Sequence, residues 1–317
     1  MIYAISFILS FLIVYLITPI LIKVSFKYSF TDKPTKRKKH GREIPLCGGL
    51  SMFISFFIVY FFINRYTAID EKLWIFAGAL LILAIGLIDD TFKTRGKEFP
   101  IYPRLIIQLL AAFIVFKSGI VFRGFTNPFT GIYIQLSGVL QFILTMTWIF
   151  GVTTVINWSD GMDGLAGGLS LISSITFAGA AIILKQSESI SMSLIVSGVT
   201  LGFLMYNKYP AKVFMGDSGA NFLGFILSII ALDGAFKQAT LMSLFIPILA
   251  LAIPIFDNIF VIIKRFLDGK PVYQADRSQI HYRLEAKGFT PKQVVTYINM
   301  VSLAFSIISI VLLLIKN

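Results

Sequence analysis

Leu73-Trp74-Ile75-Phe76-Ala77-Gly78-Ala79-Leu80-Leu81-Ile82-Leu83-Ala84-Ile85-Gly86-Leu87-Ile88-Asp89-Asp90 reads as a membrane helix that ends on two carboxylates. No charge interrupts residues 73–88. A spanning helix needs roughly 20 mostly apolar residues, so this run nearly fills one. The whole chain repeats the pattern. Of its 317 residues, 56% are hydrophobic and only 14% charged, and its mean hydropathy is +0.83. Soluble domains carry about 25% charged residues. This much apolar surface excludes an ordinary cytosolic enzyme and a disordered chain. The single cysteine, Cys47, excludes a disulfide scaffold.

Apolar runs place candidate spans near 2–22, 46–64, 73–88, 105–118, 137–156, 165–185, 189–206, 220–237, 239–263 and 293–315. The expectation is an all-α polytopic membrane protein, one membrane domain over 1–317 with about ten transmembrane helices. The first run meets a basic stretch from Lys23 and lacks a small-residue cleavage site, unlike a signal peptide. The formal charge of +12 is assigned to anionic membrane lipids and phosphate-bearing substrates, and not to nucleic acid.

Orientation follows the basic residues. Loops 23–45, 89–104, 157–164, 207–219 and 264–292 hold 21 of the 28 Lys and Arg residues. This set is placed in the cytoplasm, with both termini outside, in a multi-pass protein of the plasma (inner) membrane. The run Lys36-Arg37-Lys38-Lys39 reads first as a lipid-headgroup anchor.

The same face holds 12 of the 16 acidic residues, which the basic-residue rule does not explain. Asp89 and Asp90 close the third span, Asp160 and Asp163 lie between two spans, Asp217 precedes the eighth, and Asp257 sits inside the ninth. Carboxylates at membrane edges are costly unless paired, hydrated or metal-bound, which marks them as functional. Asp160-Gly161-Met162-Asp163-Gly164 and Gly216-Asp217-Ser218-Gly219 set acids among glycines ahead of helices. One such turn is more often a helix cap. Three acid clusters on one face favour a Mg²⁺-bound phosphate or diphosphate, because Mg²⁺ prefers hard oxygen ligands and uses one or two carboxylates. The last large loop, Gln274 to Leu284, adds Arg277, His281 and Arg283, residue types that suit phosphate contacts. His40, in the basic run, is given no role.

At these residues the sequence resembles the polyprenyl-phosphate N-acetylhexosamine-1-phosphate transferases. That family includes the undecaprenyl-phosphate GlcNAc-1-phosphate transferases and the phospho-MurNAc-pentapeptide translocases. The resemblance runs in order along nearly the whole chain. It rests on Pro45-Leu46-Cys47-Gly48-Gly49, Gly86 to Asp90, Asn157 to Ala166, Phe214 to Gly219, Pro254 to Asp257 and Asp276 to Leu284. It implies helices around a cytoplasm-facing active-site cleft and a ninth helix broken within the membrane. Pro247 and Pro254 give that break an independent cause. Segment 119–136 is expected to form a short external hairpin.

The resemblance implies transfer of GlcNAc-1-phosphate from UDP-GlcNAc to a polyprenyl phosphate, with undecaprenyl phosphate favoured, and release of UMP. Such a step opens teichoic acid, O-antigen lipopolysaccharide and other cell-wall glycan synthesis. Mg²⁺ is the implied cofactor, with Mn²⁺ as a substitute. Asp217 is the implied metal ligand, seconded by Asn157, and Asp89, Asp90, Asp160, Asp163 and His281 are the implied catalytic set. Lys93, Lys97, Asn157, Arg277 and Arg283 are the implied substrate-binding residues. Members of the family often form homodimers.

Two departures stand out. The GlcNAc branch usually reads HIHH where this chain has Gln279-Ile280-His281-Tyr282, and it commonly has Asp or Asn where this chain has Lys93. Lys93 resembles the MurNAc-pentapeptide branch, but that branch's triple-histidine run is missing. The chain is therefore placed in the GlcNAc branch. An ion-coupled transporter would share the intramembrane acids and the broken helix, but its site would lie near the midplane between repeats. No repeat is visible here, and the acids gather at one face.

Overall fold

The computed structural model describes residues 1–34, 41–64, 66–127, 130–234, 241–271 and 277–316. The basic run Lys36–Lys39, His40 and Asp276 lie outside the described residues. The chain is all-helical but for two two-stranded ribbons. Twelve helices follow in order: α1 (Ile2–Lys27), α2 (Gly48–Phe62), α3 (Ile69–Thr94), α4 (Ile101–Lys117), α5 (Gly138–Trp158), α6 (Leu165–Ile183), α7 (Ser187–Asn207), α8 (Gly216–Asp233), α9 (Leu241–Ala250), α10 (Ala252–Leu267), α11 (Ile280–Ala286) and α12 (Pro291–Lys316). Strands β1 (Thr31–Asp32) and β2 (Ile44–Pro45) pair antiparallel, as do β3 (Gly124–Thr126) and β4 (Tyr133–Gln135). The second pair forms a hairpin within segment 119–136.

Six described helices are long and apolar enough to cross a membrane, or seven when the bent pair α9–α10 counts as one span. The chain is a polytopic, all-α membrane protein. Each expected span has a helix, but α2 is short, and α4 and α8 also fall outside that set.

α8 is the buried axis of the bundle: from Ser218 to Asp233 every residue is buried. Around it, Phe53, Phe56, Phe57 and Phe222 pack with ring centroids 4.7–6.3 Å apart. Such pairs add about 0.5–1.5 kcal/mol each beyond their buried area.

The break between α9 and α10 bends the chain by 76°. Pro254 cannot donate to the Ala250 carbonyl one turn back, so the helical ladder fails there. Ser173 Oγ replaces the missing donor, at 2.7 Å from the Ala250 oxygen. The bend is thus satisfied inside the protein, as backbone away from water requires.

Candidate active site

Asp90 is fully buried and points at the N-terminus of α8, where no α8 side chain caps the exposed N–H groups. Its Oδ1 accepts from the Asp217 N–H (2.8 Å), and its Oδ2 accepts from the Ser218 N–H (3.1 Å) and hydroxyl (2.8 Å). A carboxylate supplied by α3 therefore caps α8, and the helix dipole favours it there. Gly216 makes the approach possible: its φ is +68°, and a Cβ on it would strike the Asp90 carboxylate.

Asp217, fixed by this cap, is the hub of the cluster. Lys93 Nζ lies 2.6 Å from its Oδ1, and Asn157 Nδ2 donates to the same oxygen at 3.2 Å. Arg104 NH1 lies 3.7 Å from Asp217 Oδ2 and 2.7 Å from Asp89 Oδ2. Asp89 and Lys93 are four residues apart on α3, so they share a helix face. Asp90 is rotated off that face, which is why adjacent aspartates have different partners. Arg104, near the start of α4, is a site residue that the sequence reading missed. A single Arg at a helix end reads as a membrane-edge anchor, and only the fold brings it to two carboxylates.

The two acids between α5 and α6 also divide. Asp163 Oδ2 accepts from the Ala211 N–H at 2.9 Å, and Asn207 ties Gly164 to Val213. These bonds hold the segment that leads into Asp217. The Asp160 carboxylate makes no hydrogen bond among the described residues, although its backbone N–H donates to the Asn157 carbonyl at 3.1 Å. Burial raises its pKa to about 7, Lys93 pulls the other way, and Asp217, Asp90 and Asp163 push it up further.

The last loop is locked to the broken span. Both oxygens of Asp257 accept from the Ile280 N–H (2.9 Å each), capping α11, and Arg283 NH2 pairs with Asp257 Oδ1 at 2.7 Å. The Arg283 guanidinium also lies over the Phe260 ring, 4.2 Å from its centroid. Arg283 therefore holds the loop in place, and Asp257 is its anchor. The helix so fixed sets His281 against Gly161, where a Cβ would collide with the imidazole. Gly161 and Gly216 thus make room for protein side chains.

His281 is 2% exposed, and its Nε2 has no hydrogen-bond partner among the described residues. Burial lowers its pKa to about 4, with Glu285 opposing, so the ring is neutral at pH 7. Between pH 6.5 and 4 the unfolded chain binds a proton at this site that the folded chain does not. Stability is therefore expected to fall as pH drops through that window, and to level off below it. Thermal midpoints measured from pH 7.5 to 4 should show this loss in the wild type. His281→Gln should lack that component, so the two profiles diverge as pH falls.

Arg277 sits 5.8 Å from the Tyr282 ring centroid, at the edge of this loop. Lys97 lies beyond the end of α3, exposed and without a side-chain partner among the described residues.

Among the described residues, the one group of three acids spaced closely enough to share a metal is Glu71, Glu188 and Asp233. Glu71 opens α3, and Asp89 near its end lies about 27 Å away along the helix axis. That triad belongs to the opposite end of the bundle.

The membrane-helix bundle thus gathers three carboxylates, two cations and an amide at one end, a set suited to charged ligands. Comparison with known proteins agrees: residues 73–235 match the family described as Glycosyl transferase family 4, and the chain belongs to it. It is 40% identical over 281 residues to a Bacillus subtilis (strain 168) protein named "Probable undecaprenyl-phosphate N-acetylglucosaminyl 1-phosphate transferase", covering 89% of this chain and 76% of that one. An Escherichia coli K12 protein named undecaprenyl-phosphate alpha-N-acetylglucosaminyl 1-phosphate transferase is 27% identical over 278 residues, covering 85% and 72%. A phospho-N-acetylmuramoyl-pentapeptide-transferase from Prochlorococcus marinus is 30% identical over 281 residues, covering 84% and 77%.

Proposed function

We propose that the chain transfers GlcNAc-1-phosphate from UDP-GlcNAc to a polyprenyl phosphate, releasing UMP, at the cytoplasmic face of the plasma membrane. In this reading the termini lie outside and ten spans surround the cleft. The observation that carries it is the Asp217 hub, a half-buried carboxylate that already draws two cationic side chains to a membrane edge. The names of the relatives above supply the acceptor and the transferred group.

The donor set suits Mg²⁺. Asp217 offers a hard anionic oxygen, and the ammonium held against it supports a cation site there. Asn157 would join as a ligand through its carbonyl oxygen, so its amide, now donating to Asp217, would turn over. Bound there, Mg²⁺ would neutralise charge on the diphosphate and orient the leaving UMP.

The chain's own residues do the rest. Asp90 and Asp163 hold Asp217 and its loop in register. Arg104 and Lys93 present positive charge where two anionic substrates must meet. A lipid phosphate arriving at the end of α3 meets Asp89 and Arg104 first. Its oxygen attacks the sugar-side phosphorus, the phosphorus–oxygen bond to UMP breaks, and UMP departs. The acceptor's second pKa is about 6, so it needs little help from a base at neutral pH. Asp160, whose carboxylate has no hydrogen-bond partner among the described residues, can take the proton that remains.

Arg104→Gln is expected to lower kcat about 100-fold, since removing one electrostatic stabiliser typically costs that much. Steady-state UMP release measures it, and a loss below about threefold would remove Arg104 from the site.

Lys93 and the 30% identical relative favour the second reading, a phospho-MurNAc-pentapeptide donor. Both donors should be offered side by side to purified protein with undecaprenyl phosphate. UMP release from UDP-GlcNAc alone supports the first reading, and release only from UDP-MurNAc-pentapeptide overturns it in favour of the second.

A further inference from the structure

We propose that Lys93 is a built-in counter-ion at the metal position, so that the divalent cation and the nucleotide diphosphate bind as a coupled pair. This rests on the reading that Asp217 holds the metal.

The geometry carries it in three steps. First, both oxygens of Asp217 face cationic groups: Lys93 Nζ at 2.6 Å from Oδ1 and Arg104 NH1 at 3.7 Å from Oδ2. Asp90 is matched separately by the N–H groups and dipole of α8. A divalent ion must therefore displace a positive charge. A Mg²⁺ ion binds about 2.0–2.1 Å from its oxygen ligands. It cannot share Oδ1 with an ammonium 2.6 Å away without strong like-charge repulsion.

Second, the two cations are not equally free to leave. Arg104 is also held by Asp89, at 2.7 Å. Lys93 sits in the last turn of α3 with its side chain 38% exposed, and among the described residues Asp217 is the only acid within ion-pair distance of it. Its ammonium ends a flexible four-carbon stem. Lys93 is the group that moves.

Third, leaving Asp217 costs Lys93 its 2.6 Å ion pair, and a phosphate group supplies a new one. A nucleoside diphosphate supplies that anion, while the divalent ion replaces Lys93 on Asp217. The exchange of partners is favourable when both ligands are present and unfavourable for the metal alone. In this chain, then, the residue that binds phosphate also gates the metal.

Mn²⁺ is the probe, read by the loss of its free EPR signal on titration into purified protein in detergent. Titrations run with and without saturating UDP, after correction for Mn²⁺ bound by UDP alone. In the wild type, UDP should tighten Mn²⁺ binding at least tenfold. By reciprocity Mn²⁺ should tighten UDP binding by the same factor, which titration of UDP checks independently. Lys93→Gln should tighten Mn²⁺ binding without UDP at least tenfold and shrink the gain from UDP. Asp217→Asn should abolish the specific binding. Equal Mn²⁺ affinity with and without UDP in the wild type overturns the proposal and needs no variant. So does an unchanged affinity in Lys93→Gln when Asp217→Asn abolishes binding. Absence of saturable Mn²⁺ binding in the wild type even with UDP overturns the metal assignment of Asp217 itself.

Discussion

Asp217→Asn is expected to reduce metal-dependent turnover at least 1000-fold, roughly the upper end for loss of one electrostatic contact, while leaving the thermal midpoint within a few degrees. The substitution keeps the shape and removes the charge. Asn offers one weak neutral oxygen where the site needs an anionic ligand, and its amide hydrogens would face Lys93 Nζ. Stability changes little because Lys93 is partly exposed and can turn to water, and because Asp90 still caps α8 through the backbone N–H of residue 217. Turnover and thermal unfolding on the same preparation check both halves. Activity within tenfold of wild type would remove Asp217 from its role as the hub.

Asp90→Ala should fail differently, losing stability and activity together. Three hydrogen bonds to a buried carboxylate disappear, and the first N–H groups of α8 lose their partner. Hydrogen bonds to charged groups are worth about 1.5–3 kcal/mol each, so a loss of roughly 3 kcal/mol or more is expected after relaxation. The start of α8 would shift, and with it Asp217; a displacement of about 1 Å can cost 100-fold in rate. Asp90→Asn should be intermediate, because one side-chain oxygen can still accept while the amide opposes a second N–H. The measurement is thermal unfolding of all three proteins beside their kcat. An Asp90→Ala protein with wild-type stability and no activity would assign Asp90 to the chemistry instead of the cap.

These two aspartates show what the sequence could and could not reveal. The uncharged run 73–88 and the pair that ends it were plain, and so were the acid clusters ahead of α6 and α8. The division of labour between them was not. Asp89 and Asp90 are neighbours in sequence, but consecutive helix positions point about 100° apart. Only the packing of α3 on α8 shows which one meets Arg104 and which one meets an N-terminus. The same holds for Asp257, a membrane-embedded acid that anchors α11. Its partners, Ile280 and Arg283, lie more than twenty residues away, and no local pattern announces them. The bend at Leu251 was legible because proline acts locally; the hydroxyl of Ser173 that makes it tolerable was not, because it comes from another helix. Lys93 was noticed as a departure from one branch of the family. That it rests on Asp217 is a fact of the fold.

The most direct test uses purified protein in detergent with undecaprenyl phosphate and UDP-GlcNAc, following UMP release with Mg²⁺ and with EDTA. UMP release that requires both the lipid and Mg²⁺ is the predicted result. Release without the lipid, or undiminished in EDTA, would contradict it, as would no release from folded protein.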